Sequence, residues 1–198
     1  MADLIVLAGT PAHILLNGLP ALSKACYRAP FTRWTADSMS SRLLTTWSGY
    51  DAAVGDILAL AANTLQIFDR DLAPLKLESA DRIAALCRLL MTARPSSPRV
   101  TIIVRQAEFV RQFSPLLMNL LVAHSPALRI LQSPPHLETL RDSLLIADDQ
   151  HVLVRFHDRQ ARARLIVDDI GESAPYAQHF AEILAEGGEP ISASTLGL

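Results

Sequence analysis

Residues 141–158 read RDSLLIADDQHVLVRFHD, and the fold is decided there. Two apolar runs, Leu144–Ala147 and Val152–Phe156, flank Asp148-Asp149-Gln150. Runs of that length around an acidic turn predict a β-hairpin. The LLIA run shows no polar alternation, and neither does TIIV at Thr101–Val104. Such runs predict strands buried on both faces, which need helices above and below the sheet.

Working outward, strands and helices alternate before the hairpin. Asp51–Asn63 has apolar residues at helical spacing and Thr64–Phe68 follows as a strand. Glu78 or Ser79 can cap a helix running to Ala93, with Ile83, Leu86, Cys87, Leu90 and Met91 on one face. ARPSSP at 93–98 stops that helix, and Arg99–Val104 predicts the next strand. Ala107–His124 predicts another helix, Ala127–Leu131 a strand, and Pro134-Pro135 only a short helix over 136–141. Three closely spaced strands follow at 143–148, 151–157 and 162–168, then a helix over Ala174–Glu186 and a tail ending STLGL. At the other end, Leu4–Ala8 predicts a short strand, while Pro11, Gly18, Pro20 and Pro30 break every period between 10 and 48. The expected fold class is α/β: one domain over 1–198 with a mixed, mostly parallel sheet of about six or seven strands flanked by helices. Strand 143–148 should be central and 162–168 should lie beside the hairpin.

Composition narrows the function classes. The chain has 198 residues, half of them hydrophobic and 19% charged, which suits one globular domain. A net charge of −2 gives no general attraction to nucleic acid or anionic lipid, and nucleic acid is not expected as a partner. Lys24 and Lys76 are the two lysines, so the basic character is carried by arginine, the better fork for phosphate or carboxylate. Cys26 and Cys87 lie in apolar surroundings without a CxxC pair, as expected of reduced thiols in a cytoplasmic protein. The apolar N-terminus carries Asp3 and lacks a basic leading segment, which makes it a poor signal peptide. No apolar run reaches the ~18 residues that a membrane span needs.

The hairpin resembles the motif strand of the phospholipase D superfamily, whose signature is His-x-Lys-x4-Asp followed by Gly-Ser-x-Asn. Asp148 takes the Asp place, but Arg141 stands where the His belongs and Ser143 where the Lys belongs. Arg155, Phe156 and Asp158 replace the Gly, Ser and Asn. The order of elements is similar to one half of a phospholipase D-type enzyme. It resembles more closely a bacterial family of unknown function that has this fold and no catalytic motif. The helix before TLQIFDRDL, the RVTIIVRQ strand, the LLIADD strand, the FAEIL helix and the terminal STLGL carry that resemblance. It covers 45–198 as the family-like core and leaves 1–44 as a variable N-terminal segment. Phospholipase D chemistry needs an imidazole nucleophile and a lysine for the phosphate. A guanidinium stays protonated and a serine brings no charge, so the resemblance implies the fold without the catalysis and without a cofactor. Relatives in the family stand alone or follow an N-acetyltransferase domain.

Three groups of residues are candidates for a site. Arg105, Arg141 and Arg155 would gather where a phospholipase D-like fold has its phosphate pocket, a candidate anion site. The plainer expectation is that Arg141 neutralises Glu138, Asp142 or Asp148. Asp148, Asp149, His151, Asp168 and Asp169 would share the opposite rim, where they could hold a cation or simply make turns; aspartate favours hairpin turns because it bonds its own backbone. His136 is a third candidate, but HLETLRD lacks the lysine and puts Asp142 six residues on, where the motif demands seven. Trp34 and Trp47, with Phe31 and Tyr50, read as packing aromatics. The expected role is a non-catalytic binding or regulatory domain. The alternatives are a divergent phosphodiesterase or nuclease using His136 or His151, and a scaffold partner of an acyltransferase. A homodimer is expected, as in single-motif phospholipase D relatives. Its contact would be the edge bearing Arg141, Asp148 and Arg155, with the apolar helix around Leu117–Val122 ranked second.

Overall fold

A computed structural model of the chain describes residues 41–91 and 98–192. The expected strand at Leu4–Ala8, the aromatics Phe31 and Trp34, Cys26 and the STLGL tail lie outside the described residues. Strand β1 (Ser41–Leu44) is followed by helix α1 (Trp47–Leu60), β2 (Leu65–Asp69) and α2 (Ala80–Met91). Next come β3 (Val100–Val104), α3 (Glu108–Phe113), α4 (Pro115–His124) and β4 (Leu128–Gln132). A 3-10 turn at Pro135–Thr139 leads into β5 (Ser143–Ala147), β6 (His151–Arg155) and β7 (Ala163–Ile166), and the chain closes with α5 (Ile170–Ala185) and β8 (Glu189–Pro190).

The strands form one sheet in the order β1-β7-β6-β5-β2-β3-β4-β8, so 143–147 is central and β7 lies beside the hairpin, as the apolar runs predict. The sheet is mixed, but it is not mostly parallel. Parallel pairing is confined to β2-β3-β4, and the other five pairings are antiparallel. The reason is connection length. A parallel return needs a crossover helix, which only the first half of the chain supplies, while tight turns after β5 force antiparallel pairing.

Side-chain alternation splits the core in two. Leu65, Ile67, Ile102, Leu145 and Leu153 face a cluster with α1, α2 and α4. Phe68, Ile103, Leu144, Ile146 and Val154 face the opposite way, against Phe180 and Ile183 of α5. Burying one such side chain stabilises by roughly 1.5–3 kcal/mol. This two-sided burial explains why LLIA and TIIV show no polar alternation. No described helix is long and apolar enough to cross a membrane.

The structure departs from the sequence expectations at element ends. The helix expected over 107–124 breaks at Ser114-Pro115, because Pro115 has no N–H to continue α3 and takes the first turn of α4. Glu78 caps α4, not α2: its carboxylate accepts from the backbone N–H of Leu116 at 3.0 Å and of Leu117 at 2.9 Å. Helix α5 starts at Ile170, before the expected Ala174, since Asp169 accepts from Glu172 N at 2.8 Å and the helix carries Pro175 inside it. Strand β8 was not expected from the sequence. It depends on Gly188, where a Cβ would come within 2.7 Å of the Gln132 carbonyl oxygen.

The hairpin tip is a structural clamp. Asp148 and Asp149 both hold positive φ, 52° and 57°, a conformation aspartate tolerates better than most residues. The Asp148 carboxylate accepts from the backbone N–H groups of Ala62 at 2.8 Å, Asn63 at 2.8 Å and Thr64 at 2.7 Å. It thereby fixes the turn from α1 into β2. Asp148→Asn keeps the backbone preference but turns an amide toward those donors, so it should lower stability in urea unfolding by about 2 kcal/mol. Asp149→Asn should change it by less than about 0.5 kcal/mol. Equal losses would show that the carboxylate contacts do not hold the turn.

Candidate functional site

The ends of β2, β5 and β6 opposite the hairpin tip bring three polar side chains into one row. Phe68 pairs with Leu144, which sets Asp69 beside Ser143, and Ser143 pairs in turn with Arg155. Asp69 and Arg155 are fully buried. Burying a charge is costly unless it is paired and hydrogen-bonded, and here both conditions hold. Arg155 Nη2 donates to Asp69 Oδ1 at 2.7 Å and to Ser143 Oγ at 3.0 Å. The Ser143 hydroxyl also donates to Asp69 Oδ1, and Arg155 Nη1 donates to the Asp158 carbonyl at 2.8 Å. Asp69 Oδ2 accepts from Leu72 N at 2.9 Å, holding a turn in which Leu72 has φ 68°.

Aromatic rings of α1 close this network. The Arg155 guanidinium lies 5.2 Å from the Tyr50 ring centroid and 5.7 Å from that of Trp47, within cation–π range. Burial pushes the Tyr50 phenol far above its ordinary value and the Asp69 charge adds to that, so Tyr50 stays neutral. Thr46, capping α1 by accepting from Gly49 N at 3.1 Å, places both rings over the row.

A second layer surrounds Asp158, whose side chain is almost wholly buried. Arg105 Nη2 and Arg141 Nη1 each stand 3.6 Å from Asp158 Oδ2. Arg105 also donates to the Leu140 carbonyl and lies 5.7 Å from the Phe68 ring centroid. Burial lowers the Arg105 pKa, with Asp158 and then Asp69 opposing that effect. The His157 ring accepts from Arg159 N through Nδ1 at 3.1 Å, with the same nitrogen 3.2 Å from Asp158 Oδ1.

The three arginines named from sequence therefore do converge at one end of the sheet, but in unequal states. Arg155 and Arg105 are buried, and Arg155 is committed to Asp69, whereas the Arg141 side chain is 55% exposed. Arg141 does not pair with Glu138, Asp142 or Asp148. Asp142 is taken by His179 at 3.2 Å, and Asp148 lies at the far end of a five-residue strand. That separation also corrects the expected dimer contact. Arg141 and Asp148 sit at opposite ends of β5, β5 and β6 are interior strands, and Arg155 is buried, so the three share no edge.

The acidic rim forms at the opposite end, as the meander predicts, with the Asp148 and Asp169 carboxylates turned to backbone donors. Asp148 holds residues 62–64, Asp169 caps α5, and Asp149 reaches Gln66 Nε2 at 3.4 Å. His151 is buried, accepts from Asp168 N at 3.1 Å, and lies 3.7 Å from Asp168 Oδ1. Among the described residues, no three His, Cys, Asp or Glu side chains are placed to hold a metal ion together. His136 stands apart from both ends' clusters, paired with Glu186 at 3.1 Å on the surface.

Sequence reasoning missed Asp69 and Asp158, the two carboxylates that organise the arginines. A signal existed for the first. QIFD and VLVR are apolar strand runs ending in opposite charges. Charges carried into a sheet buried on both faces must find each other.

With this geometry in place, the comparisons are consistent. The chain belongs to the family described as a Domain of unknown function (DUF7931), which matches residues 47–189. No curated protein matches the sequence. Among solved structures, the chain is similar to Nuc, a phospholipase D family member from Salmonella typhimurium. The TM-score is 0.53 at 11% identity, covering 77% of this chain and 98% of Nuc. It is also similar to TrmBL2, an archaeal chromatin protein described as showing a novel mode of DNA binding, with a TM-score of 0.56 at 15% identity. That match covers 79% of this chain and 56% of TrmBL2, so the chain spans little more than half of the archaeal protein. At these identities the likeness is one of fold, and the fold is phospholipase D-like.

The buried row yields a double-mutant test. Asp69→Asn and Arg155→Met should each destabilise by about 3–5 kcal/mol, because either change leaves a buried charge without its partner. The double variant should lose at least ~2 kcal/mol less than the sum of the two. Additive losses in chemical denaturation would show that carboxylate and guanidinium are not coupled.

Proposed function

We propose that this domain is a non-catalytic, phospholipase D-like binding or regulatory module. One observation carries the reading. At the strand end where the resemblance calls for a nucleophilic His and a phosphate-binding Lys, Arg141 is paired with Asp158 and Ser143 is bonded to Asp69 and Arg155. A guanidinium is no nucleophile, and the Ser143 hydroxyl is buried beneath the sheet end, out of reach of a phosphodiester. Of the three candidate anion-binding arginines, Arg141 is the one with a solvent-facing side chain, so an anion held at this end would be held through it. The alternative of a divergent phosphodiesterase requires His136 or His151. Among the described residues, neither has an arginine or lysine against it to hold a phosphate, and His151 is buried. DNA binding, as described for TrmBL2, stays with that protein; a net charge of −2 gives this chain no comparable attraction.

Incubation with bis-p-nitrophenyl phosphate should release no nitrophenolate above the buffer blank. Turnover that disappears in His136→Ala would overturn the reading and locate the chemistry on the 3-10 turn.

A homodimer remains part of this proposal. It is supported by an apolar composition and by exposed Val122 and Phe113, 67% and 60%, on α4 and α3. Sedimentation equilibrium at micromolar concentration should give about twice the 21.6 kDa chain mass. A single-chain mass across the concentration range rules the dimer out.

A further inference from the structure

The buried charges behind Arg141 stand close together without being joined by hydrogen bonds. The Arg105 side chain is 2% exposed and that of Asp158 1%, and Arg105 Nη2 stands 3.6 Å from Asp158 Oδ2, beyond hydrogen-bond reach. Among the described residues, Arg105 Nε and Nη2, both Asp158 carboxylate oxygens and Ser133 Oγ are buried without a hydrogen-bond partner. A buried polar group in that state is costly, and a charged one more so. So many at one strand end call for a partner.

Register brings them together. In the β3–β4 pair Ile103 stands beside Leu131 and Val104 beside Gln132, and Ser133 N donates to the Val104 carbonyl at 2.8 Å. Ile103 and Leu131 belong to the layer against α5, so Arg105 and Ser133, two residues further along each strand, face the same way. The Arg105 guanidinium accordingly lies 5.7 Å from the centroid of the Phe68 ring in that layer. Its Nη1 is taken by the Leu140 carbonyl, which leaves Nε and Nη2. Those two N–H groups form the parallel fork that a carboxylate grips with both oxygens. Asp158 Oδ2 lies beside the fork, 3.6 Å from Nη2 and equally far from Arg141 Nη1. Asp158 Oδ1 is 3.2 Å from His157 Nδ1, but that nitrogen accepts from Arg159 N and so has no proton to give.

The unmatched atoms are of two kinds, donors on Arg105 and Ser133 and acceptors on Asp158. That mixture selects the ligand. The Arg105 and Arg141 guanidinium groups would repel a metal ion. Phosphate or a simple carboxylate would suit the fork but add negative charge beside Asp158, whose oxygens need a donor. An α-amino acid supplies both, a carboxylate for the fork and an ammonium, one carbon away, for Asp158. It also brings no net charge into a buried place. Entry is past Arg141, whose side chain is 55% exposed; an exposed pair is too weak to bar the way. A plain anion meets Arg141 at the surface, whereas a ligand that also donates reaches the pair behind it.

We infer that Arg105 and Asp158 bind the carboxylate and the ammonium of a free α-amino acid, with Ser133 as a further donor and Arg141 at the entrance. This rests on the reading of the domain as a binding module and names the class of ligand. The test melts the full chain with each proteinogenic α-amino acid at millimolar concentration. The amino acid that raises the melting temperature most is then titrated by calorimetry, and saturable binding is the expected result. Its N-acetyl derivative lacks the ammonium and its α-amide lacks the carboxylate, so each should bind about tenfold weaker or worse. Arg105→Lys keeps the charge without the fork and should weaken binding to the same degree. Ser133→Ala removes a hydroxyl alone, spares the fold, and should weaken binding to a smaller extent. Three outcomes overturn the inference. One is the absence of saturable binding by any amino acid. Another is acetate, inorganic phosphate or the N-acetyl derivative binding as tightly as the free amino acid, which would make this a plain anion pocket. The third is binding unchanged in both variants, which would place it elsewhere on the chain. Phosphodiester turnover would instead remove the non-catalytic reading and leave the amino-acid result standing.

Discussion

The Asp69–Arg155 ion pair is the contact on which the rest of this end of the molecule depends. It joins β2 to β6 across the intervening β5 through Ser143, and it fixes the turn after β2 through the bond to Leu72 N. It also seats α1, because the guanidinium is the floor on which Tyr50 and Trp47 rest. A fully buried pair of this kind is weak evidence for net stability, since an apolar replacement of similar volume could serve as well. What it supplies is specificity. Only one register of β5 between β2 and β6 brings the three polar groups together, and a one-residue slip would put charges into the apolar layer against α5.

The opposite end is held by different means. Asp148 uses its carboxylate for three backbone donors from the α1–β2 turn and leaves its own backbone in a conformation most residues avoid. The central strand is therefore pinned at both ends by carboxylates, Asp69 on one side and Asp148 on the other. Asp148 is the one position of the resembled signature that keeps its residue type. Its carboxylate is occupied by the backbone of residues 62–64, a contact that holds the fold whatever stands at 141 and 143.

Much of the architecture was legible in the sequence, and the reason is burial. Residues such as LLIA and TIIV, covered on both faces, leave a run without polar interruptions, so the six long strands could be located to within a residue or two. What escaped was set by contacts far apart in the chain. β1 is four residues with two exposed, and β8 is two residues held by a glycine's close approach to β4; neither has a period to detect. The break at Ser114-Pro115 was visible as a proline but outweighed by the apolar periodicity around it. Within the site, the arginines were found because they are rare and conspicuous. Asp69 and Asp158 were missed because an aspartate at a strand end looks like a turn residue, and only the tertiary fold shows which cation it meets. The distribution of charge across the sheet's two ends was likewise readable from the hairpin. The actual partner of Arg141 was not, because Asp158 lies seventeen residues away across β5 and β6.

The same electrostatics bear on which side chains this strand end can accept. A lysine at 143 would bring an ammonium against Arg155, whose Nη2 stands 3.0 Å from the present Ser143 oxygen. Two cations would then share one carboxylate, Asp69, at a position with no exposure to water. At an effective dielectric constant of about 20, like charges 4 Å apart repel by roughly 4 kcal/mol, a large fraction of a domain's whole stability. A histidine at 141 alone would lack the positive charge that holds a phosphate, while Asp158 would lose one of its two cations. The core that organises this end therefore resists a second cation at 143 while Arg155 stays in place. Accommodating one would require Arg155 to leave first, and with it the floor beneath Trp47 and Tyr50.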